Sequence, residues 1–213
     1  MPNSTLHLIS ATVLFLSLSG VARGQQAASE PPREVLEARK VLQASADRFR
    51  AALDRIEEAD WNFRPKGYRH TLGQEAEHAA LAHQELQTMV VTALRRDEQP
   101  ERAKALEGKE EMIRERMLGS KTRAESYKVK NTLHSKAEVV EYFEAAHKKA
   151  LNLLSVAPEP GTHIFKHPYS AAYGELTAIQ WFYYIAYHCE RHANTMHEMI
   201  EHPDFTGVST GSA

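Results

Sequence analysis

The chain has 213 residues, and its 26 lysines and arginines nearly balance its 28 aspartates and glutamates, for a formal charge of −2. Because no basic stripe stands out, this balance argues against nucleic acid as a partner. The single cysteine, Cys189, excludes an internal disulfide and any zinc site built from several thiolates. Helix-forming residues abound while β-branched residues are sparse, and the composition therefore favours an all-α fold.

An apolar run at residues 8–18 is too short to span a bilayer as a helix. Small side chains at Ala22 and Gly24 occupy the two positions recognised at a cleavage site, which predicts a secretory signal peptide at residues 1–24. The segment before the run lacks lysine and arginine, so a disordered tail and an uncleaved anchor are the alternatives. With a spacer at 25–31, we expect an exported protein, periplasmic or secreted, with no stable membrane span after processing.

The first helix is predicted from about Pro32, because proline is tolerated in a first turn. Its inward stripe recurs every three to four residues and comprises Val35, Ala38, Leu42, Ala46, Phe49, Ala52 and Ile56. Thr71 and Gln74 have the spacing of a capping box and predict a second helix that runs to about Leu94. Residues 97–130 then form a charged insertion with an amphipathic segment that carries Leu106, Ile113 and Met117. Its interspersed charges favour a solvated helix over a binding patch.

Ser135 and Glu138 form a second capping-box pattern and open a third helix. Its predicted inward face holds Val140, Phe143, His147, Ala150, Leu151 and Leu154. A loop rich in histidine and proline leads to the last helix, predicted from about Tyr173 to Glu201. Four main helices with one long crossover predict a four-helix bundle over residues 32–205, followed by a tail at 206–213.

Two imidazoles lie on the apolar stripe of the last predicted helix. His188 and His192 are four residues apart, so on a helix they can aim at a common point. Such a pair is the usual beginning of a transition-metal site. His78, beside the inward face of the second helix, is the best candidate for a third ligand. Three imidazoles on a metal ion leave an open coordination position for water or substrate. The alternative interpretation is that each histidine is a core residue whose ring is hydrogen-bonded within the protein.

At these residues the chain resembles the DinB/YfiT-like family. The resemblance is carried by Arg64-Pro65, then by Thr71-Leu-Gly-Gln-Glu-Ala-Glu-His78, and much later by His188-Cys-Glu-Arg-His192. It implies a four-helix bundle with a long crossover and a divalent metal, often nickel or zinc, on His78, His188 and His192. Homodimers are common in the family, and its characterised members include thiol-dependent transferases and isomerases. The export signal and the charged insertion depart from the family pattern.

Two other metal sites fit less well. A di-iron site is suggested by Glu-x-x-His at residues 75–78 and 144–147, but the stripe of the first helix offers no inward glutamate. The zincin signature fails because Glu190 lies two residues after His188, rather than one. Cys189 is expected to be a small buried residue. Seven remaining histidines show no convergent spacing and are expected to face solvent: His70, His83, His134, His163, His167, His197 and His202.

The sequence thus predicts a metal-dependent enzyme, a hydrolase or a thiol-dependent transferase, whose divalent ion activates water or a substrate thiol or oxygen. Glu75, one turn before His78, is the candidate for proton transfer, or for orienting a ligand. His147 and Tyr184 are interpreted either as lining the pocket or as packing residues. The alternative function is a non-catalytic bundle that binds a metal or a small ligand. The sequence does not identify the small-molecule substrate.

Overall fold

A computed structural model of the protein describes residues 30–119 and 129–205. The predicted signal peptide at 1–24, all but the end of the spacer, and the tail at 206–213 lie outside the described residues. In the part of the chain that is described, no helix is both long enough and apolar enough to cross a membrane.

Seven α-helices and one small sheet make up the described chain. The helices are α1 (Arg33–Asp54), α2 (Leu72–Glu85), α3 (Gln87–Leu94), α4 (Pro100–Lys104), α5 (Lys109–Gly119), α6 (Lys136–Val156) and α7 (Ala178–Ile200). Strands β1 (Ile164–Phe165) and β2 (Leu176–Thr177) pair antiparallel, with Ile164 opposite Thr177. Helix α7 packs against α1, α2, α3 and α5, while α6 packs mainly against α2 and α1. This mostly helical architecture agrees with the predicted all-α fold.

The apolar stripe predicted for α1 is confirmed, since all seven of its residues are at most 5% exposed. The stripe predicted for α6 is shifted by one residue at its start, because Val139 is buried whereas Val140 is 37% exposed. Phe143 and His147 are buried on that helix as expected. Spacings of three and four therefore located the core face of both helices.

The second predicted helix is broken at Leu86 into α2 and α3, so the expectation of one helix to Leu94 was wrong. The side chain of Gln87 explains the break. Its Nε2 donates to the carbonyl of His83 at 3.0 Å, inserting a side chain into the backbone ladder. The same Nε2 donates to the Ala146 carbonyl on α6 at 2.9 Å, so the break also ties the two helices together.

The charged insertion contributes α4 and α5 to the described chain, and the expectation of a solvated helix needs correction. Ile113 and Met117 are at most 3% exposed and belong to the same apolar cluster as Trp181 of α7. The buried amide of Gln180 donates to the Leu106 carbonyl at 2.6 Å and to Glu110 Oε1 at 3.1 Å. One face of α5 is therefore docked on α7, and only the opposite face carries the charges to solvent.

Helix α7 begins at Ala178, five residues later than the sequence predicted. Thr177 is the N-cap: its hydroxyl accepts from the Gln180 N–H at 3.3 Å, while Gln180 Oε1 accepts from the Thr177 N–H at 3.1 Å. This capping box satisfies two backbone donors and fixes the first turn. The residues before it, from Tyr173 on, form a loop and strand β2 instead.

Gly73 lies where a larger residue would collide with Trp61. A Cβ built at position 73 would be 2.4 Å from Trp61 Nε1, and the Gly73 N–H donates to the Trp61 carbonyl at 2.8 Å. We expect Gly73→Ala to lower the free energy of unfolding by about 1–3 kcal/mol in urea denaturation, because the indole must shift within packed surroundings. Gly119→Ala is the control, since a Cβ there meets nothing within 4 Å. Equal stabilities of the two variants would contradict the collision.

Candidate metal centre

Three imidazoles converge between α2 and α7. His78 lies on α2, and His188 and His192 lie one turn apart on α7. Each offers a ring nitrogen, and these three atoms lie within 4.8 Å of one another. The ring centroids are 4.6 Å apart for His78 and His192, 4.7 Å for His188 and His192, and 5.3 Å for His78 and His188. The donor set and its spacing fit one divalent transition-metal ion.

The two helices that supply these rings are both fixed at their first turns. Thr71 caps α2 with a complete capping box on Gln74, as the sequence predicted, and Thr177 caps α7 in the same way. The Gly73 N–H is bound by the Trp61 carbonyl, so the loop before α2 supports that helix as well. His78 is thereby held on a helix whose start is fully hydrogen-bonded, opposite the His188–His192 pair.

Glu75 lies against His192. Its Oε2 is 2.8 Å from His192 Nδ1, and its Oε1 is 3.6 Å from Nδ1 of His70. All three residues are at most 8% exposed. A carboxylate that accepts from Nδ1–H leaves the lone pair on Nε2, and metal-binding histidines commonly have such a partner. The structure therefore places the Glu75 carboxylate in contact with His192, one of the predicted ligands.

The surroundings keep two of the predicted ligands, His78 and His188, neutral. Burial, reinforced by the nearby His192, lowers the pKa of His78 to about 3. Burial likewise lowers the pKa of His188 well below its usual value, with His192 and His78 adding to the effect. Burial also lowers the pKa of His70, although the Glu75 carboxylate opposes that shift. Neutral imidazoles offer the lone pairs that a cation requires, so the set suits metal binding at neutral pH.

Aromatic rings border His188 toward the N-terminal end of α7. The Tyr184 ring is nearly parallel to that of His188, with centroids 6.4 Å apart and an interplanar angle of 14°. Trp181 and Tyr173 pack against Tyr184 in turn, at 5.2 Å and 5.5 Å. Tyr184 is 8% exposed, so it forms part of a wall that limits access of water to the histidines from this side.

Glu77 anchors the segment that leads into α6. Its Oε1 accepts from the backbone N–H groups of Thr132 at 2.5 Å and Leu133 at 3.2 Å. Its Oε2 accepts from the Asn131 N–H at 3.1 Å. Glu77 is 2% exposed, and this carboxylate beside His78 thus fixes a loop. Sequence analysis missed this role because its partners are backbone groups of a segment with no motif of its own.

Three histidines that were expected to face solvent are buried instead: His70 at 6% exposed, His83 at 1% and His163 at 6%. His134 is exposed, as expected. His147 is buried at 3% exposed, but its ring lies beside His83, and it is not part of the three-histidine cluster. Periodicity had placed His147 on the buried face of its helix, but it gave no signal for His70, His83 and His163.

Cys189 is 1% exposed, and burial raises the pKa of its thiol, in agreement with the interpretation as a small core residue. Among the described residues, the three-histidine cluster is the one group of at least three histidine, cysteine or carboxylate side chains arranged to hold a metal. The di-iron arrangement of glutamates therefore has no counterpart in the described chain. Glu190 is half-buried and pairs with Arg48 at 3.2 Å.

Comparison with curated proteins gave no match, and comparison with solved structures gave none either. A family comparison matched the DinB superfamily over residues 41–196. The matched region runs from α1 into the second half of α7, and it contains His78, His188 and His192. Since this region is well over half of the chain, the protein belongs to the DinB superfamily.

Proposed function

We propose that the protein is a metal-dependent enzyme in which His78, His188 and His192 hold one divalent cation, nickel or zinc. The observation that carries the proposal is the convergence of three imidazoles, one of them oriented by the buried carboxylate of Glu75. A cation held by three imidazoles supplies a Lewis acid that polarises an oxygen or sulfur ligand. Hydrolysis and thiol-dependent transfer are the two reaction classes that this chemistry serves.

The protein's own side chains would then orient and enclose the site. Glu75 holds the tautomer of His192, and His70 lies on the other oxygen of the same carboxylate. Tyr184 and Trp181 keep water from one side. The incoming substrate would approach from the side where His78 is half-buried, next to Leu81 and Glu85.

A non-catalytic metal- or ligand-binding protein is the second candidate, and one observation favours it. The carboxylate nearest to the three histidines faces an imidazole with each of its oxygens. An oxygen that accepts from His192 is poorly placed to take a proton from a substrate at the same time. Catalysis would then depend on the cation and the substrate's own nucleophile, while a simple binder would need no base.

The first test is elemental analysis of the protein after chelator treatment and reloading with nickel or zinc. We expect about one ion per chain in the native protein at this centre, and its loss in the His188→Ala, His192→Ala double variant. His134→Ala, which removes an exposed histidine, is the matched control. Equal metal content in the double variant and the native protein, with unchanged helicity, would contradict the proposed centre.

Activity then separates the enzyme from the binder. The loaded protein would be assayed for ester and amide hydrolysis and for transfer of a low-molecular-weight thiol to electrophilic substrates. An enzyme would show turnover that disappears in the double variant, whereas a binder would lose metal without losing any reaction. Export to the periplasm or medium and assembly as a homodimer are further parts of the proposal; the first rests on the N-terminal sequence and the second on the family resemblance.

A further inference from the structure

A second group of side chains with unpartnered donor and acceptor atoms lies in the core where α2 and α3 face α6. His83, Gln87 and His147 are 1%, 3% and 3% exposed. Four of their polar atoms have no hydrogen-bond partner among the described residues, namely both ring nitrogens of His83, Nδ1 of His147 and Oε1 of Gln87. A buried polar atom without a partner is costly, so four from three neighbouring residues require an explanation.

The orientation of two of these side chains is fixed by their other contacts. Gln87 Nε2 donates to the carbonyls of His83 and Ala146, so turning the amide over would set its oxygen against two other oxygens. Its Oε1 must therefore be the unpartnered acceptor. His147 Nε2 lies 3.4 Å from Gln43 Oε1, which is itself only an acceptor. Nε2 therefore carries the hydrogen, and the lone pair of His147 is on Nδ1.

The arrangement repeats that of the three-histidine centre. There, His188 and His192 lie four residues apart on one helix and the third donor, His78, comes from the facing helix. Here, His83 near the end of α2 and Gln87 at the start of α3 lie four residues apart across the break at Leu86, and His147 comes from the facing α6. The centroids of the two imidazoles are 5.5 Å apart, against 4.6–5.3 Å in the first centre.

An acceptor behind one imidazole is also present in both groups. In the first centre the carboxylate of Glu75 accepts from His192 and thereby directs its lone pair. In the second group the amide oxygen of Gln43, on α1, accepts from His147 in the same manner. Such an acceptor behind a ligating imidazole is the usual second layer of a metal site.

We propose that His83, His147 and Gln87 form a second, closed metal site, which takes a borderline divalent cation such as zinc, nickel or cobalt. A ring nitrogen of His83, Nδ1 of His147 and Oε1 of Gln87 supply the lone pairs. Only the second nitrogen of His83 then stays unpartnered among the atoms of this group. Because all three residues are buried, the site holds its ion structurally and offers no entry to a substrate.

The charges around this group allow a cation. Arg50 is the nearest positive charge, but its guanidinium pairs with Glu144 at 2.6 Å and with Asp47 at 2.8 Å. Burial, with His147 and Arg50 adding to the effect, lowers the pKa of His83 to about 3, and burial lowers the pKa of His147. Both rings are therefore neutral at pH 7 and bring their lone pairs to the site.

Cobalt tests the proposal, because Co²⁺ bound to imidazoles absorbs visible light and its stoichiometry can be titrated. We expect about two Co²⁺ ions per native chain, and about one in each of His83→Leu, His147→Leu and the His188→Ala, His192→Ala double variant. His163→Leu is the control, since it replaces another buried histidine with an unpartnered Nε2 but should keep both ions. Circular dichroism checks that each variant remains helical. If a leucine variant loses helicity, Gln87→Met replaces it in the titration and should likewise bind about one ion.

Two results would overturn the second site. In the first, the native chain binds a single Co²⁺ ion, and the His147→Leu variant still binds one ion and is thermally more stable than the native chain. That result is expected if an internal water molecule forms the missing hydrogen bonds in the native protein. The other is a second ion that survives both leucine substitutions. A single ion lost in His147→Leu but kept in the His188→Ala, His192→Ala variant would refute the three-histidine centre and leave this site standing.

Discussion

Replacing Glu75 with alanine is expected to weaken binding of a divalent cation about ten- to a hundredfold, although Glu75 is not one of the proposed ligands. The reason is the 2.8 Å contact between its Oε2 and Nδ1 of His192. Without that acceptor, His192 loses the partner that keeps its hydrogen on Nδ1 and its lone pair on Nε2. The affinity is measured by competition with a chromophoric chelator.

Two variants sharpen this test. Glu75→Gln retains an acceptor for His192 but loses the charge, so its affinity should fall between those of native and Glu75→Ala. Glu85→Ala removes an exposed carboxylate of the same helix, which pairs with Lys130, and should bind metal like the native protein. Native affinity in Glu75→Ala would show that His192 needs no orienting partner, or that it is not a ligand.

The rate effect of the same change separates the roles predicted for Glu75. When the metal is saturating, a residue that only positions His192 should affect turnover little, because the cation is already in place. A proton acceptor would instead lower turnover at saturation and change its pH profile. Comparing kcat of Glu75→Ala and Glu75→Gln at saturating metal therefore distinguishes positioning from proton transfer.

Much of the metal centre could be predicted from sequence because its three histidines lie on only two helices. The stripe of α7 sets His188 and His192 on its buried side, and the capping box at Thr71 fixes the phase of α2 and hence of His78. Each of these patterns lies within a single helix. The convergence of the two helices then follows from the only way a bundle can bury both stripes.

The burial of His83 could not be predicted in this manner. His83 follows His78 by five residues, which is about 140° around the helix, so it faces α6 rather than α7. Its environment is set by Phe143 and His147, whose rings lie 5.0 Å and 5.5 Å from its own. A pattern read along α2 cannot show that a second face is buried, because that face depends on the docking of another helix.

Two predicted helix boundaries were wrong for a related reason, because each boundary is set by the hydrogen bonds of one side chain. Gln87 breaks the second predicted helix by bonding to His83 and Ala146 carbonyls, and the second of these lies on another element. Thr177 starts α7 late because its capping box with Gln180 competes with a helix that would begin at Tyr173. The same polar residues that punctuate the helices thus position the groups between them.

A pH-dependent stability follows from the burial of His83. In metal-free protein kept in chelator, burial lowers the pKa of His83 to about 3, whereas an exposed imidazole in the unfolded chain titrates near about 6.5. Between these values the unfolded chain binds a proton that the folded chain does not, so the free energy of unfolding falls as pH falls. A single such histidine contributes a slope of up to about 1.4 kcal/mol per pH unit.

Urea denaturation of native and His83→Leu protein from pH 7 down to pH 4 isolates this contribution, because every other histidine is common to the two chains. The free energy of unfolding of the variant should depend less steeply on pH, by the contribution of about one proton. At low pH the variant should be at least as stable as the native protein, since leucine leaves no buried imidazole to protonate. His134→Leu, at an exposed position, should keep the native slope. Parallel curves for native and His83→Leu would mean that His83 acquires its proton in the folded state, and hence that its side chain has a polar partner within the core.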